Sequence, residues 1–555
     1  MIHTKILPPA ASAYEYPLLV KNLLLTTLHY EPDNEIVYRD RIRYDYRKLN
    51  ERIHRLANTL AAAGLQPGET AAVLDWDTHR YLECFFAVPM MGAVLHTVNI
   101  RLSREQILYT MNHAEDKVVL VNAEFLPLLE SIKDELTTAK TFILLHDDNT
   151  VPSTNLPFIG EYEALLAAAP TYYNFPDFDE NSVATIFYTT GTTGSPKGVY
   201  FTHRQLVLHT LAGSTTLGSY ETTVRFRSND VYMPITPMFH VHAWGIPYIA
   251  TMLGTKQVYP GKYEPEMLLK LLIQEKVTFS HCVPTILHML VSSPLAQTVD
   301  LSQWKVIIGG SALPKGLAQA AADLGIQLIT GYGMSETCPI LTLTYLKERI
   351  LSRGTPEEEI TYRTKAGLPI PLVQLRLIDE EGKVLPHDGV STGEIVVRAP
   401  WLTQSYFKET ALSDQLWQDG WLHTGDVASV NLEGYVQISD RLKDVIKTGG
   451  EWVSSLEIEN LMSQHEAVSE VAVIGFPDER WGERPGALVV LKPGCHMAVA
   501  DIKTFMYGFV QQGKINEWYI PDRIIFTQAI PKTIVGKIDK KRIRAEMAAT
   551  LQRAM

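Results

Sequence analysis

One run of residues does most to narrow the folds open to this chain: Ile186-Phe187-Tyr188-Thr189-Thr190-Gly191-Thr192-Thr193-Gly194-Ser195-Pro196-Lys197-Gly198-Val199. The apolar lead-in from Val183 to Tyr188 reads as a buried strand. The ten residues Thr189 to Gly198 then carry five hydroxyls, three glycines and one lysine. Glycine lets backbone N–H groups turn toward an anion, hydroxyls add donors, and lysine adds charge, so the composition suits a loop wrapped around phosphate. A helix is expected from Thr202, with Leu206, Val207 and Leu211 on one side. The loop departs from the common nucleotide pattern G-x-x-x-x-G-K-[ST], because Pro196 precedes Lys197 and Gly198 follows it.

The rest of the chain supplies a frame for such a loop. Leu49, Ile53, Leu56, Ala57 and Leu60 recur at helical spacing, and Gly64 is placed to end that helix. Strands are expected at Thr70 to Leu74, Val94 to Val98 and Lys117 to Val121, with a helical stretch from Arg80. Ser103-Arg104-Glu105-Gln106 has the form of a capping box. This alternation favours an α/β architecture with largely parallel sheets. A chain of 555 residues has room for two or more domains. Its formal charge of −12 argues against a general nucleic-acid binder. The four cysteines are scattered without metal-site spacing, which fits a reducing compartment. No apolar run reaches the ~20 residues of a membrane span. A cytoplasmic protein is expected, with peripheral membrane contact and a homodimer both left open.

Further segments carry chemistry. Tyr232 to Gly245 is aromatic, and its prolines exclude a regular helix across it. Val306-Ile307-Ile308-Gly309-Gly310-Ser311-Ala312 reads as a strand ending where a planar ring can approach the backbone. Gln327 to Thr330 is another expected strand, closed by Gly331-Tyr332-Gly333-Met334-Ser335-Glu336-Thr337. There Tyr332 can lie on a purine face, and Glu336 offers a hard oxygen suited to Mg²⁺ on phosphates. Residues 350 to 364 are charged and read as a solvated excursion. Asp426 closes the run Trp421-Leu422-His423-Thr424-Gly425-Asp426, and one carboxylate can accept hydrogen bonds from two neighbouring hydroxyls. Five of the nine residues Ser439 to Lys447 are charged, which reads as a linker between compact units. Lys537 follows a glycine in a late breaker-started loop.

Taken in order, these segments resemble the adenylate-forming superfamily, which includes acyl-CoA synthetases, adenylation domains of peptide synthetases and luciferases. Similarity is greatest to medium- and long-chain fatty acid–CoA ligases, through His240 to Trp244 and Gly449 to Trp452. The resemblance implies a large nucleotide- and acyl-binding domain (residues 1–440) of parallel-rich sheets with helices. A small mobile α+β domain (441–555) would carry the catalytic lysine, with a hinge at 440–443. It implies ATP and CoA as co-substrates of a small-molecule carboxylic acid, with Mg²⁺. The carboxylate would attack ATP to give acyl-AMP and pyrophosphate, and a thiol would then displace AMP. Catalytic roles pass to Lys537, Glu336 and Lys447, and Thr192 and Glu336 would reach the metal. Nucleotide contacts pass to Thr189, Thr190, Gly191, Thr192, Thr193, Gly194, Lys197, His240, Val241, Gly310, Thr330, Gly331, Tyr332, Ser335, Asp426, Arg441, Lys443 and Trp452. Trp244 would gate the acyl tunnel. The family's usual threonine is Ser335 here, which keeps a hydroxyl. The alternative is a CoA or carrier-protein ligase for a short-chain, aryl or sulfur-containing acid. With 18 residues after Lys537, no attached carrier domain is expected.

Overall fold

The computed structural model describes residues 5–148, 152–189, 195–220, 224–442, 444–448, 451–478, 480–532 and 538–554, without the side chains of 451, 452 and 548–554. Three sheets build the large N-terminal unit. A seven-stranded sheet is parallel except where Val183–Thr189 pairs antiparallel with Lys197–Thr202. A nine-stranded sheet is parallel through its middle, from Gln327–Gly333 across to Glu35–Tyr38. A third sheet of five strands is antiparallel and includes Trp421–Val430 and Val436–Arg441. The small C-terminal unit has its own five-stranded sheet and its own apolar core, with Ile446, Ile458, Val473, Val489 and Ile502 at its centre. The architecture is thus α/β, as the alternation of elements implied.

Local signals explain many of the boundaries. Thr70–Leu74 is apolar apart from Thr70 and buried at every position, as a parallel strand covered on both faces requires. Helix Tyr46–Ala62 is capped by the Asp45 side chain, and Gly64 follows it at φ +92°. Ser103 and Gln106 close the expected capping box on Arg104–His113. Thr202 and Gln205 do the same for His203–Ser219. On that helix Leu206 and Val207 are buried but Leu211 is 44% exposed, so the apolar face is narrower than its sequence spacing implied.

Residues 350–364 are mostly exposed or half-buried, as a solvated excursion would be, but they carry regular structure. They lie in two short helices, Glu348–Arg353 and Pro356–Arg363. Ile350 is buried, and Arg363 turns inward to donate to the Leu328 carbonyl at 2.9 Å while pairing with Glu359 at 2.6 Å. A charged residue on the inner face is what hid this element from a pattern reading. No helix among the described residues is long and apolar enough to cross a membrane.

Candidate active site

Open α/β sheets bind ligands beyond the carboxyl ends of their strands, and these ends converge here. Thr189 ends one strand, Gly309 and Gly310 follow Lys305–Ile308, and Gly331 to Gly333 end Gln327–Gly333. His240 and Trp244 come after Val231–Pro234. All line one cleft of about 2390 Å³ that is also walled by the small unit. That volume exceeds the ~300–1,000 Å³ of a single-ligand pocket and is sufficient for a nucleotide together with a second substrate.

Two chains of polar contacts, each with one side-chain hydrogen bond, order its polar wall. In the first, the pairing of Thr189 with Lys197 brings the ends of the donor-rich loop together. Lys197 Nζ lies over the Tyr406 ring at 4.7 Å, and Tyr406 Oη donates to Glu336 Oε1 at 2.7 Å. Burial first, then the Glu336 charge, push the Tyr406 phenol well above its ordinary range, so it stays a donor. Glu336, in the turn Ser335–Thr337, is 7% exposed. In the second chain, Tyr332 Oη donates to Asp426 Oδ2 at 2.8 Å, and Arg441 Nε lies 3.4 Å from Asp426 Oδ1. Asp426 and Arg441 face each other in register on antiparallel strands. A buried carboxylate held between a phenol and a guanidinium on the cleft wall is oriented before any ligand arrives.

The apolar wall is built around Trp244. Its ring lies against Gly309, where an added Cβ would sit 3.0 Å from the indole and 3.1 Å from the Gly331 carbonyl oxygen. The indole also tilts against His281 with ring centroids 5.1 Å apart. Val241, His242, Ala243 and Trp244 form a left-handed turn, with φ of 48°, 54°, 48° and 59°. Each non-glycine residue in that region carries about 1–2 kcal/mol of strain, which persists only where the surroundings dictate it. They do so here. Met238 N donates to Asp77 Oδ1 at 2.9 Å, Thr97 Oγ1 donates to the Phe239 carbonyl at 3.2 Å, and Gly245 packs so close to His209 that a Cβ would lie 2.9 Å away. His242 is wedged against Phe85, Phe187 and Phe201, and burial holds its pKa down at about 3, so it is neutral.

Of the residues singled out in the sequence, Thr189, Lys197, His240, Val241, Trp244, Gly310, Thr330, Gly331, Tyr332, Ser335, Glu336, Asp426 and Arg441 line this cleft. The Thr330 hydroxyl is engaged by the protein, through Thr344 at 2.9 Å and the carbonyls of Arg363 and Lys365. Lys447 stands apart from the cleft wall, with Nζ 3.4 Å from Glu380 and its N–H donating to Glu483. Thr190, Gly191, Thr192, Thr193, Gly194, Lys443 and Lys537 lie outside the described residues, as does the side chain of Trp452. Sequence reasoning missed Tyr406 and Asp77, whose partners lie far away along the chain. The close approach of a ring to the Gly309-Gly310 turn is made in this structure by the Trp244 indole at Gly309, a contact the sequence did not indicate.

Residues 26–407 match the family model of the AMP-binding enzyme, and residues 457–537 match that of the AMP-binding enzyme C-terminal domain. The chain belongs to the AMP-binding enzyme family. A long-chain-fatty-acid–CoA ligase of Thermus thermophilus is 40% identical over 510 residues, covering 91% of this chain and 90% of the relative. A 3-methylmercaptopropionyl-CoA ligase of Ruegeria lacuscaerulensis is 37% identical over 545 residues, covering 96% and 98%. Among solved structures, ATP-bound MatB from Rhodopseudomonas palustris superposes on this AMP-binding enzyme with a TM-score of 0.80. It is 25% identical and covers 95% of this chain and 99% of the other.

Proposed function

We propose that this AMP-binding enzyme is an ATP-dependent acid–thiol ligase that converts a medium- or long-chain fatty acid to its CoA thioester. The observation that carries the reading is the placement of a nucleotide-type wall (Tyr332, Asp426, Arg441, Glu336) and an apolar wall (Trp244, Gly309) on one cleft. In the first step a carboxylate oxygen forms a bond to the α-phosphorus of ATP, and the bond to the β-phosphate oxygen breaks, releasing pyrophosphate. In the second, a thiolate sulfur attacks the acyl carbon and AMP departs with the mixed-anhydride oxygen. Asp426 accepts the ribose hydroxyls, held in place by Tyr332 and Arg441. Lys197 and Lys537 offset charge gathering on phosphoryl oxygens, the largest contribution residues can make to such a step. Lys447 serves the thiol step from the other face of the small unit. That unit would comprise residues 441–555 and turn on a hinge at 440–443.

The residues present fit Mg²⁺. Glu336 presents a buried carboxylate in the cleft, and no group of three or more potential metal ligands occurs among the described residues. That suits an ion bound by one carboxylate and otherwise by substrate phosphates and water. Thr192 would add a hydroxyl. Mg²⁺, when bound, neutralises phosphate charge.

Burial sets the acyl preference. Each CH₂ taken from water is worth ~0.8 kcal/mol, so the KM for the acid should fall about fourfold per added carbon until the tunnel is full. The relative from Ruegeria supports a second reading, a short sulfur-containing acid. Pyrophosphate exchange measured from acetate to palmitate, with a four-carbon thioether acid alongside, followed by thioester formation with CoA, tests both. A fall in KM along the alkyl series is expected. A sharp optimum at the thioether acid would replace the first reading with the second, and exchange without CoA transfer would point to a carrier-protein acceptor.

A further inference from the structure

Where the two units join, the C-terminal helix Lys540–Ala554 presents two cations one turn apart to three carboxylates. Lys540 Nζ lies 2.9 Å from Glu459 Oε1 and donates to Ser455 Oγ. Ser455 donates through both its N–H, at 3.0 Å, and its hydroxyl to Asp440 Oδ2. Arg544 Nη1 lies 2.6 Å from Asp444 Oδ1. Asp440 is 3% exposed and Ser455 fully buried. Asp440 sits on Val436–Arg441, a strand of the large unit, whereas Ser455, Glu459 and Lys540 belong to the small unit. The Asp440 carboxylate is therefore held across the junction. The arrangement turns Asp539, Lys540 and Lys541 onto the cleft wall and leaves Lys447 off it.

We propose that Lys540 is a positioning residue: it completes a buried charge cluster that holds the small unit against Asp440 in the adenylate-forming arrangement, and this cluster opens before the thiol step. The inference rests on the two-step reading above. Asp440 stands at the start of the charged junction, still on a strand of the large unit, and Ser455 lies beyond it, so a turn about the residues between them parts the carboxylate from the Ser455 N–H. Without Lys540, Glu459 and Asp440 keep backbone and hydroxyl donors but face each other with no buried cation between the two charges, which favours whatever arrangement re-exposes them.

The test compares Lys540→Met, which keeps length, with Lys540→Arg, which keeps charge. Pyrophosphate exchange in Lys540→Met should fall about 10- to 100-fold, the range set by a charge-assisted hydrogen bond. Thioester formation from preformed acyl-AMP should stay near wild type, and Lys540→Arg should recover most of the exchange. Equal loss in both half-reactions, or no loss of exchange, overturns the proposal. Ser455→Ala deletes only the hydroxyl link, and the same split is required of it if Lys540→Met does not fold. Spin labels on Leu432→Cys and on the partly exposed Cys495 read the junction independently of activity. The distance distribution should broaden in Lys540→Met, and an unchanged distribution overturns the cluster's role. A wild-type protein that activates no acid would count against the proposed function but leave this measurement valid.

Discussion

Asp77 shows how a buried residue can shape the cleft without touching a ligand. It is 3% exposed, accepts from Met238 N and from the Tyr263 hydroxyl, and has Arg101 and Asp75 nearby. Burial is the largest influence and lifts its carboxyl to about 7. The unfolded group titrates near 3.8, so between those values the folded protein holds a proton that the unfolded chain releases. The contribution is present in full below the unfolded pKa and lost as pH rises through 7. The thermal midpoint of wild type minus that of Asp77→Asn should therefore decline from about pH 4 to about pH 7 and level off above it; a flat difference would mean the carboxyl ionises normally. Glu336 gives a second prediction. Glu336→Gln keeps an oxygen for Tyr406 but loses the charge, and pyrophosphate exchange should drop about 10²-fold, the scale of one well-placed polar group. Near-normal exchange would remove Glu336 from the chemistry. The positions of Glu336 and Asp426 on the cleft were legible because they sit in dense local motifs. Tyr406 and Asp77 were not, because their meaning lies in contacts 70 and 161 residues away.

At the scale of elements, the strands that deliver the site follow their apolar runs, whereas the turns that aim its side chains follow close packing. Gly333 is the sharpest case. A Cβ there would lie 1.7 Å from the backbone oxygen of Pro339, which cannot move aside as a side chain would. Gly333→Ala should thus shift the turn that carries Glu336, and a displacement on the ångström scale is enough for about a 10²-fold loss of pyrophosphate exchange. Exchange at the wild-type rate in a folded variant would show that this turn does not set the rate. The left-handed turn from Val241 to Trp244 could not be read from sequence, since none of its residues is a glycine and Val241 is β-branched. It follows from the aromatic socket around His242 and from the Asp77 anchor. The two helices at 348–363 were missed for a related reason: an inward arginine breaks the apolar pattern by which a buried helix face is recognised.

For the whole molecule, the α/β frame and the existence of a late small unit were legible, but the way that unit meets the large one was not. Contacts such as Lys315 N–H to Asn460, and Gly316 so close to Ser463 that a Cβ would lie 2.5 Å from its carbonyl oxygen, join residues with no shared motif. They fix an arrangement in which the segment just after Lys537 faces the cleft and Lys447 does not. If the two steps use different arrangements, a residue needed in one should be nearly silent in the other. On the proposed role of Lys537 as a cation at the phosphates, Lys537→Ala should then lower pyrophosphate exchange at least about 10²-fold. Thioester formation from preformed acyl-AMP should suffer much less, since no pyrophosphate leaves in that step. Lys447→Ala should show the opposite bias, with exchange nearly intact and thioester formation slowed. Single-turnover measurement of each half-reaction in both variants separates the two-arrangement mechanism from a fixed one. Parallel losses in both steps for both lysines would mean that the small unit keeps a single orientation throughout the cycle.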